Sequence, residues 1–417
     1  MRRRRLSGRD THCCFLDIRK AYDTVFREGM WQRLREVGVS GKMWRVLVNM
    51  YEVVESCVLV GKDRTEWFEL GIGLRQGCIL SPILFSIFID GLARAIKGSK
   101  AGIRFGQQVL NILLFADDIV LIARNQKELQ MLLDIAYSYS TQWRFCFNID
   151  KSKGLVFTAK RSYPLVKYFL GFEQLEVVKE FRYLGLDFES SLSWARTKER
   201  LASKARTRLA MLSRAASEGL TADAGDKIWG VMIRPVLEYG AEVWGGGSWL
   251  EAEQLQTEAG RRILGVTGKT ANDVVRGEMG WWTLKSRRDL RRLKFWGRIV
   301  RMDEGSLVKQ VYRHFKVSTA LRRNSWSFYT KRLLVELNLG HLWVSEEVGD
   351  LDSWSTFITQ VVKDREVMQW KERMERKPKL RLYRTLKVSW LEKSTWTVTC
   401  HLIFASKSLN FAVVLVG

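Results

Sequence analysis

The sequence predicts an α+β fold followed by an all-α half. Three observations carry that expectation. Strand-length apolar runs alternate with helix-spaced stretches as far as Ser190. Beyond it only the 3.6-residue period is found. Proline supplies only 4 of 417 residues, against an ordinary share of ~5%, so long helices meet few breakers.

Taken in order, residues 13–18 read as a buried strand with Asp17 near its end. Residues 29–37 and 43–51 place Met30, Leu34, Val37 and then Trp44, Leu47, Val48, Tyr51 at helical spacing. Residues 53–60 and 65–70 resemble two strands around the turn Gly61-Lys62-Asp63. Residues 81–96 form a mostly apolar helix with Pro82 in its first turn, where the missing N–H costs nothing. Residues 110–115 and 119–123 are β-like runs separated by Ala116-Asp117-Asp118, and 126–143 is an amphipathic helix. Strands are expected at 145–149, 154–158 and 181–188.

After Ser190, residues 197–216, 222–244 and 249–266 read as three helices that pack together. Further helices are expected at 284–302, 326–339 and 354–376. Residues 377–393 are basic and helix-compatible, and 394–417 lose helical periodicity, like an unrelated tail. The expected divisions are therefore 1–190, 191–266, 267–393 and 394–417.

Lys+Arg number 69 and Asp+Glu 45, a net charge of +24 that suits a polyanionic partner, nucleic acid before membrane. Six cysteines without a C-x-x-C pair, and 4 histidines, support neither a structural zinc site nor a disulfide framework. The basic opening Met1–Arg5 has no apolar stretch behind it, and no run approaches the roughly 18 residues of a membrane span. The chain reads as intracellular, nuclear or cytoplasmic, and not secreted.

Two apolar runs end on acid: Phe15-Leu16-Asp17 and Phe115-Ala116-Asp117-Asp118. A carboxylate at the end of a buried strand is costly without a cation, and adjacent carboxylates raise each other's pKa. A divalent metal relieves both. Mg²⁺ takes oxygen ligands, commonly one or two carboxylates with substrate phosphates.

The flanking residues carry a family resemblance. Phe15-Leu16-Asp17-Ile18-Arg19-Lys20-Ala21-Tyr22-Asp23-Thr24-Val25 resembles motif A of LINE-type (non-LTR) retrotransposon reverse transcriptases. Gly73-Leu74-Arg75-Gln76-Gly77-Cys78-Ile79-Leu80-Ser81-Pro82-Ile83-Leu84-Phe85 resembles motif B. Phe115-Ala116-Asp117-Asp118 is similar to motif C, Asn148-Ile149-Asp150-Lys151-Ser152 to motif D, and Phe181-Arg182-Tyr183-Leu184-Gly185 to motif E. The motifs stand in the family's order, and motif B is the most specific of them.

The resemblance implies a reverse-transcriptase palm, an antiparallel sheet with packed helices, followed by an all-α thumb and a C-terminal helical region. It implies Mg²⁺-dependent addition of dNTPs to a DNA primer 3′-hydroxyl on an RNA template. Asp17 and Asp117 would ligate two Mg²⁺ ions, with the Ile18 carbonyl as a further ligand and Asp118 supporting or ligating. Tyr22 would be the steric gate against a 2′-hydroxyl. Gln76 and Gly77 would let the backbone approach the template–nucleotide pair. Lys151 would protonate the leaving pyrophosphate, with Lys153 as the alternative.

Arg200, Lys204 and Arg208 on the first C-terminal helix, and Arg288 and Arg292 on a later one, would contact nucleic-acid phosphates. The segment Ile233-Arg234-Pro235-Val236-Leu237-Glu238-Tyr239-Gly240 also looks like the region downstream of the polymerase in such elements. Departures from the family pattern are equally legible. Only 16 residues precede Asp17, where the family has its fingers, so an N-terminally truncated copy, inactive alone, is the expectation. No endonuclease and no Cys/His knuckle is found, and Cys146-Phe147 stand where motif D has a small residue. The competing readings are a catalytically dead nucleic-acid-binding remnant and an intron-maturase-type polymerase.

Overall fold

A computed structural model describes residues 4–5, 7–105, 108–317 and 325–387. The chain divides into two compact units, Met1–Ser193 and Trp194–Gly417. The first runs β1 (Thr11–Asp17), α1 (Arg27–Glu36), α2 (Gly41–Asn49), then four two-residue strands, β2 (Glu55–Ser56), β3 (Leu59–Val60), β4 (Asp63–Arg64) and β5 (Phe68–Glu69). There follow α3 (Ser81–Gly98), β6 (Ile103–Phe105), β7 (Gln108–Leu110), β8 (Ile112–Phe115), β9 (Asp118–Ala123) and α4 (Gln126–Gln142). It ends with β10 (Lys153–Phe157), β11 (Tyr168–Leu170), β12 (Glu173–Val178), β13 (Glu180–Tyr183) and β14 (Leu186–Glu189).

Six of these strands form one sheet in the order β11-β12-β10-β1-β9-β8. β1 lies inside it because both of its faces are apolar. Cys14 and Leu16 point to the face covered by Leu84, Phe85 and Phe88 of α3 and by Leu129, Leu132 and Leu133 of α4. Cys13 and Phe15, on the alternate face, pack with Val120, Ile122, Leu155 and Phe157. Pro82 sits in the first turn of α3, as its sequence predicts.

Several expectations are corrected. Residues 145–149 form no strand; Ile18 makes an isolated bridge to Phe147, and the left-handed Arg144 (φ 56°) turns Phe145 and Phe147 into the core instead. Residues 181–188 are two strands, because Leu184 (φ 46°) and Gly185 (φ 73°) make the tight turn of a β13–β14 hairpin. The expected hairpin at 53–70 is cut into β2–β5 and β3–β4 pairs. β11 and β12 were not expected, and β12 joins β10 in parallel, so the sheet is mixed rather than wholly antiparallel.

The second unit is helical among the described residues: α5 (Ala195–Ser217), α6 (Ala222–Ile228), a π-helical turn (Trp229–Ile233), α7 (Arg234–Leu237), α8 (Ala241–Trp244) and α9 (Leu250–Leu264). Then come α10 (Asn272–Met279), α11 (Leu284–Arg301), α12 (Leu307–Val317), α13 (Trp326–Glu336), α14 (Leu342–Ser345), α15 (Leu351–Glu375) and α16 (Arg381–Leu386). The single helix expected at 222–244 is broken, by the π-turn before Pro235 and by the left-handed Gly240 (φ 66°). α10 and α12 are additions to the expected set. The basic stretch from 377 holds a 3₁₀ turn (Pro378–Leu380) and α16; its remainder from 388, and the tail 394–417, lie outside the described residues. α11, α13 and α15 share a core of Leu293, Trp296, Ile299, Leu333, Leu334, Trp354, Ile358 and Val362.

Candidate active site

The strand register brings two of the three carboxylates face to face. β1 and β9 pair antiparallel with Asp17 opposite Asp118. Asp117 lies in the two-residue turn between Phe115 and Asp118, the last pair of the β8–β9 hairpin. Ala116 holds that turn at φ 52°, a left-handed conformation that is uphill for a residue with a Cβ. Burial, then the charges of Asp117 and Asp17, push the Asp118 carboxyl above its ordinary range. Among the described residues no cation pairs with Asp118. Asp17 has one, the exposed Lys151 ammonium at 3.8 Å.

The segment after α4 is tied to the end of β1. Asn148 N–H donates to the Asp17 carbonyl at 2.8 Å, Asp17 N–H to Ser152 Oγ at 3.2 Å, and Arg19 N–H to the Cys146 carbonyl at 2.9 Å. These bonds place Lys151 over the carboxylates. A cavity of about 390 Å³ opens here, lined by Asp17, Asp118, Lys151, Lys153, Arg182 and Tyr183 among others. Phe181 stacks on Phe15 at 4.4 Å and so anchors the β13–β14 hairpin over the strand that carries Asp17. Burial, then the charge of Asp118, raises the Tyr183 hydroxyl to about 12, so it stays protonated at neutral pH.

The site is an oxygen donor set whose carboxylates pair, among the described residues, with Lys151 while Lys153 and Arg182 are held by Glu176 and Asp187, which is the chemistry that suits a hard divalent cation. Among the described residues no three acidic, histidine or cysteine side chains form a ready metal cage. A Mg²⁺ site that completes its shell with water and substrate phosphates needs only one or two carboxylates.

Tyr22, Gln76 and Gly77 are brought together by a backbone staple. Leu74 N–H donates to the Tyr22 carbonyl at 2.7 Å and Gly73 N–H to the Val25 carbonyl at 2.9 Å. Gly73 is left-handed (φ +86°), and a Cβ there would meet the Asp23 carbonyl oxygen at 2.6 Å, so the two loops can touch only at glycine. Gln76 Nε2 donates to Asp23 Oδ1 at 2.7 Å, a partner the sequence reading missed although Asp23 lies inside motif A. The half-buried Tyr22 ring stacks on Phe85 at 5.1 Å, and Gly77 lies exposed at φ +82°.

Residues 2–188 match the family described as reverse transcriptase (RNA-dependent DNA polymerase). Over 264 residues the chain is 25% identical to the RNA-directed DNA polymerase from mobile element jockey of Drosophila funebris, covering 61% of this chain and 28% of that protein. Over 191 residues it is 28% identical to the Pol polyprotein from type-2 retrotransposable element R2DM of Drosophila melanogaster, covering 44% and 18%. Residues 2–188 are a reverse-transcriptase domain of the non-LTR retrotransposon type. The chain spans less than a third of the length of either relative. A telomerase structure from Candida albicans aligns at a TM-score of 0.35 and 11% identity, over 78% of this chain and 50% of that one.

Within the reverse-transcriptase domain the motif residues thus meet in two places, the carboxylate cleft and the stapled loops. The helical unit after it treats the expected phosphate contacts unequally. On α5, Lys204 and Arg208 are exposed and Arg200 half-exposed, one turn apart on a strip that flanks buried Leu201, Ala205 and Leu209. On α11 the expectation fails. Arg288 and Arg292 are 1% and 3% exposed, so neither is presented to a duplex. The helix is basic all round, and its buried stripe runs through Arg288, Arg292, Trp296 and Ile299. Arg287 and Arg291 are used internally, both on the buried Glu238. No helix among the described residues is long and apolar enough to cross a membrane.

Proposed function

We propose that the chain carries an RNA-directed DNA polymerase site that adds dNTPs to the 3′-hydroxyl of a DNA primer on an RNA template. The observation that carries this reading is the Asp17–Asp118 pair across β1 and β9 with Asp117 in the adjoining turn. Asp17, Asp117 and Asp118, with the Ile18 carbonyl, would hold two Mg²⁺ ions. When bound, such ions supply Lewis-acid activation of the primer hydroxyl and charge stabilisation at the leaving pyrophosphate.

The chain's own groups do the rest. Lys151, 69% exposed, is free to swing toward the pyrophosphate and give it a proton; Lys153 is 20% exposed and holds Glu176 at 2.7 Å, which favours Lys151 for the role. Tyr22, fixed by Phe85, stands where a ring excludes a 2′-hydroxyl. Gln76, held by Asp23, and Gly77 form the surface against which the templated nucleotide rests. The exposed face of α5 acts as a thumb, taking backbone phosphates through Arg200, Lys204 and Arg208 without reading sequence.

Mn²⁺ titration by electron paramagnetic resonance, with and without a dNTP, tests the site. Wild type should bind Mn²⁺ more tightly with the nucleotide present, and Asp17→Asn should lose that gain. Equal Mn²⁺ affinity in wild type and Asp17→Asn would refute the assignment.

A further inference from the structure

An arginine stands where its own helix gives no reason for one. Arg27 is the first residue of α1, whose N-terminus carries no side-chain cap, and a cation at that end opposes the helix dipole. It is buried, at 7% exposure, and its hydrogen bonds go to no carboxylate among the described residues. A buried guanidinium persists only where its donors are used.

These donors meet backbone carbonyls in two loops. Nε donates to the Gly73 carbonyl at 2.9 Å, Nη1 to that of Tyr51 at 3.2 Å and Nη2 to that of Ile72 at 3.2 Å. The guanidinium carbon lies 5.4 Å from the ring centre of Tyr51, itself buried. The far end of the segment is tied to the same tyrosine. Ser81 Oγ donates to the Arg75 carbonyl at 2.6 Å, so the Tyr51 hydroxyl, 3.4 Å away, is the donor to Ser81.

Each peptide unit is planar, with its carbonyl and the following N–H on opposite edges. The unit joining Ile72 to Gly73 is held by Arg27 at its oxygen and by the Val25 carbonyl at its N–H, at 2.9 Å. The unit joining Gly73 to Leu74 is held by Arg27 at its oxygen and by the Tyr22 carbonyl at its N–H, at 2.7 Å. Arg27 therefore clamps two consecutive planes against the backbone that carries Tyr22. Those planes lead on to Gln76, whose amide reaches back to Asp23. Only a forked side chain can grip two neighbouring carbonyls and a third across the loop; a lysine ammonium is a single point.

We propose that Arg27 is the positioning residue for sugar selection, fixing Tyr22 against the segment 72–76. The proposal rests on the polymerase reading, in which the Tyr22 ring excludes a 2′-hydroxyl. That hydroxyl is one added oxygen. A wall rejects it only if the backbone behind the wall does not yield, and a displacement of about 1 Å is enough to lose such discrimination. Phe85 fixes the Tyr22 ring by stacking, and Arg27 fixes the main chain that carries it. Being buried, Arg27 acts through this backbone and not by touching the nucleotide.

The test compares the full wild-type chain with Arg27→Lys, which keeps the charge and loses the fork, and with Leu132→Ala, which weakens the core elsewhere. Amide hydrogen exchange reads the clamp: exchange at Gly73 and Leu74 should rise about tenfold in Arg27→Lys, and by less in α4. Mn²⁺-dependent binding of a dNTP against the matching rNTP, followed by electron paramagnetic resonance, reads selection without requiring turnover. The preference for the dNTP should fall about tenfold in Arg27→Lys. It should persist in Leu132→Ala, whose melting temperature should fall at least as far. Arg27→Met, which buries no charge, keeps the test decisive if the lysine variant does not fold. Unchanged exchange at 73 and 74, or faster exchange with the preference intact, overturns the proposal alone. An equal loss of preference in Leu132→Ala also overturns it, since that marks a general effect of instability. Equal binding of both nucleotides by wild type overturns the Tyr22 gate itself, and the proposal with it.

Discussion

Replacing Asp118 by Asn should stabilise the metal-free protein at pH 7. The Asp118 carboxyl is raised by burial first and then by Asp117 and Asp17. An acid whose pKa is raised by folding holds its proton more tightly in the folded state. Its contribution to stability is therefore complete below the unfolded pKa and is lost as pH rises through the folded one. At neutral pH the charged group works against the fold. Opposed residues in an antiparallel pair have Cβ atoms roughly 5 Å apart. Two unit charges at that distance repel by about 0.8 kcal/mol with water-like screening and by about 3 kcal/mol at an effective dielectric of 20. Asp118 is half-exposed, so the lower figure governs, and a gain of about 1 kcal/mol is expected. In a unit of this size that is roughly 2–4 °C in melting temperature. Scanning calorimetry in EDTA at pH 7 and pH 4 reads it; the gain should shrink at the lower pH. Saturating Mg²⁺ should reverse the order, because a ligand at 100 times its Kd adds about 2.7 kcal/mol to the protein that binds it. An Asn variant that melts below wild type in EDTA at pH 7, or a difference that grows as pH falls, would refute the reasoning.

Three further outcomes are expected. Joint replacement of Arg200, Lys204 and Arg208 by Glu should flatten the log–log salt dependence of duplex DNA binding by up to about 2.7, at 0.9 per phosphate contact; an unchanged slope in a fluorescence-anisotropy titration argues against that face. Leu132→Ala, at a fully buried α4 position, should cost about 2–5 kcal/mol in urea unfolding, and a loss under 1 kcal/mol would mean that the α4–sheet packing is misassigned. In native thiol labelling read by peptide mass spectrometry, exposed Cys146 should react well before Cys13 and Cys14, whose thiols burial raises, that of Cys13 to about 12; early labelling of Cys13 contradicts its place inside the sheet.

The carboxylates of the cleft were legible because burial and charge collide in the sequence itself: Phe15-Leu16-Asp17 and Phe115-Ala116-Asp117-Asp118 end apolar runs on acid, and the structure sets Asp17 against Asp118. β11 and β12 were not legible. β11 is only three residues long, Glu173, Gln174 and Glu176 dilute the apolar signal of β12, and pairing with the rest of the sheet, not local pattern, makes them strands. The break at Gly240 was hidden by good helical spacing on both sides of it. Arg288 and Arg292 show the limit of charge counting. In a helix basic on every side, charge alone does not say which face is solvated. Their four-residue spacing to Trp296 did contain the answer, since it puts all three on one stripe.

The most direct measurement is single-turnover incorporation of one dNTP into a DNA primer on an RNA template, with the 417-residue chain in excess. The account predicts that whatever incorporation the chain supports alone is a single step rather than processive extension, requires Mg²⁺, favours a dNTP over the matching rNTP in wild type but less so in Tyr22→Ala, and disappears in Asp117→Ala. Incorporation that survives Asp117→Ala, or that proceeds equally in EDTA, would contradict it.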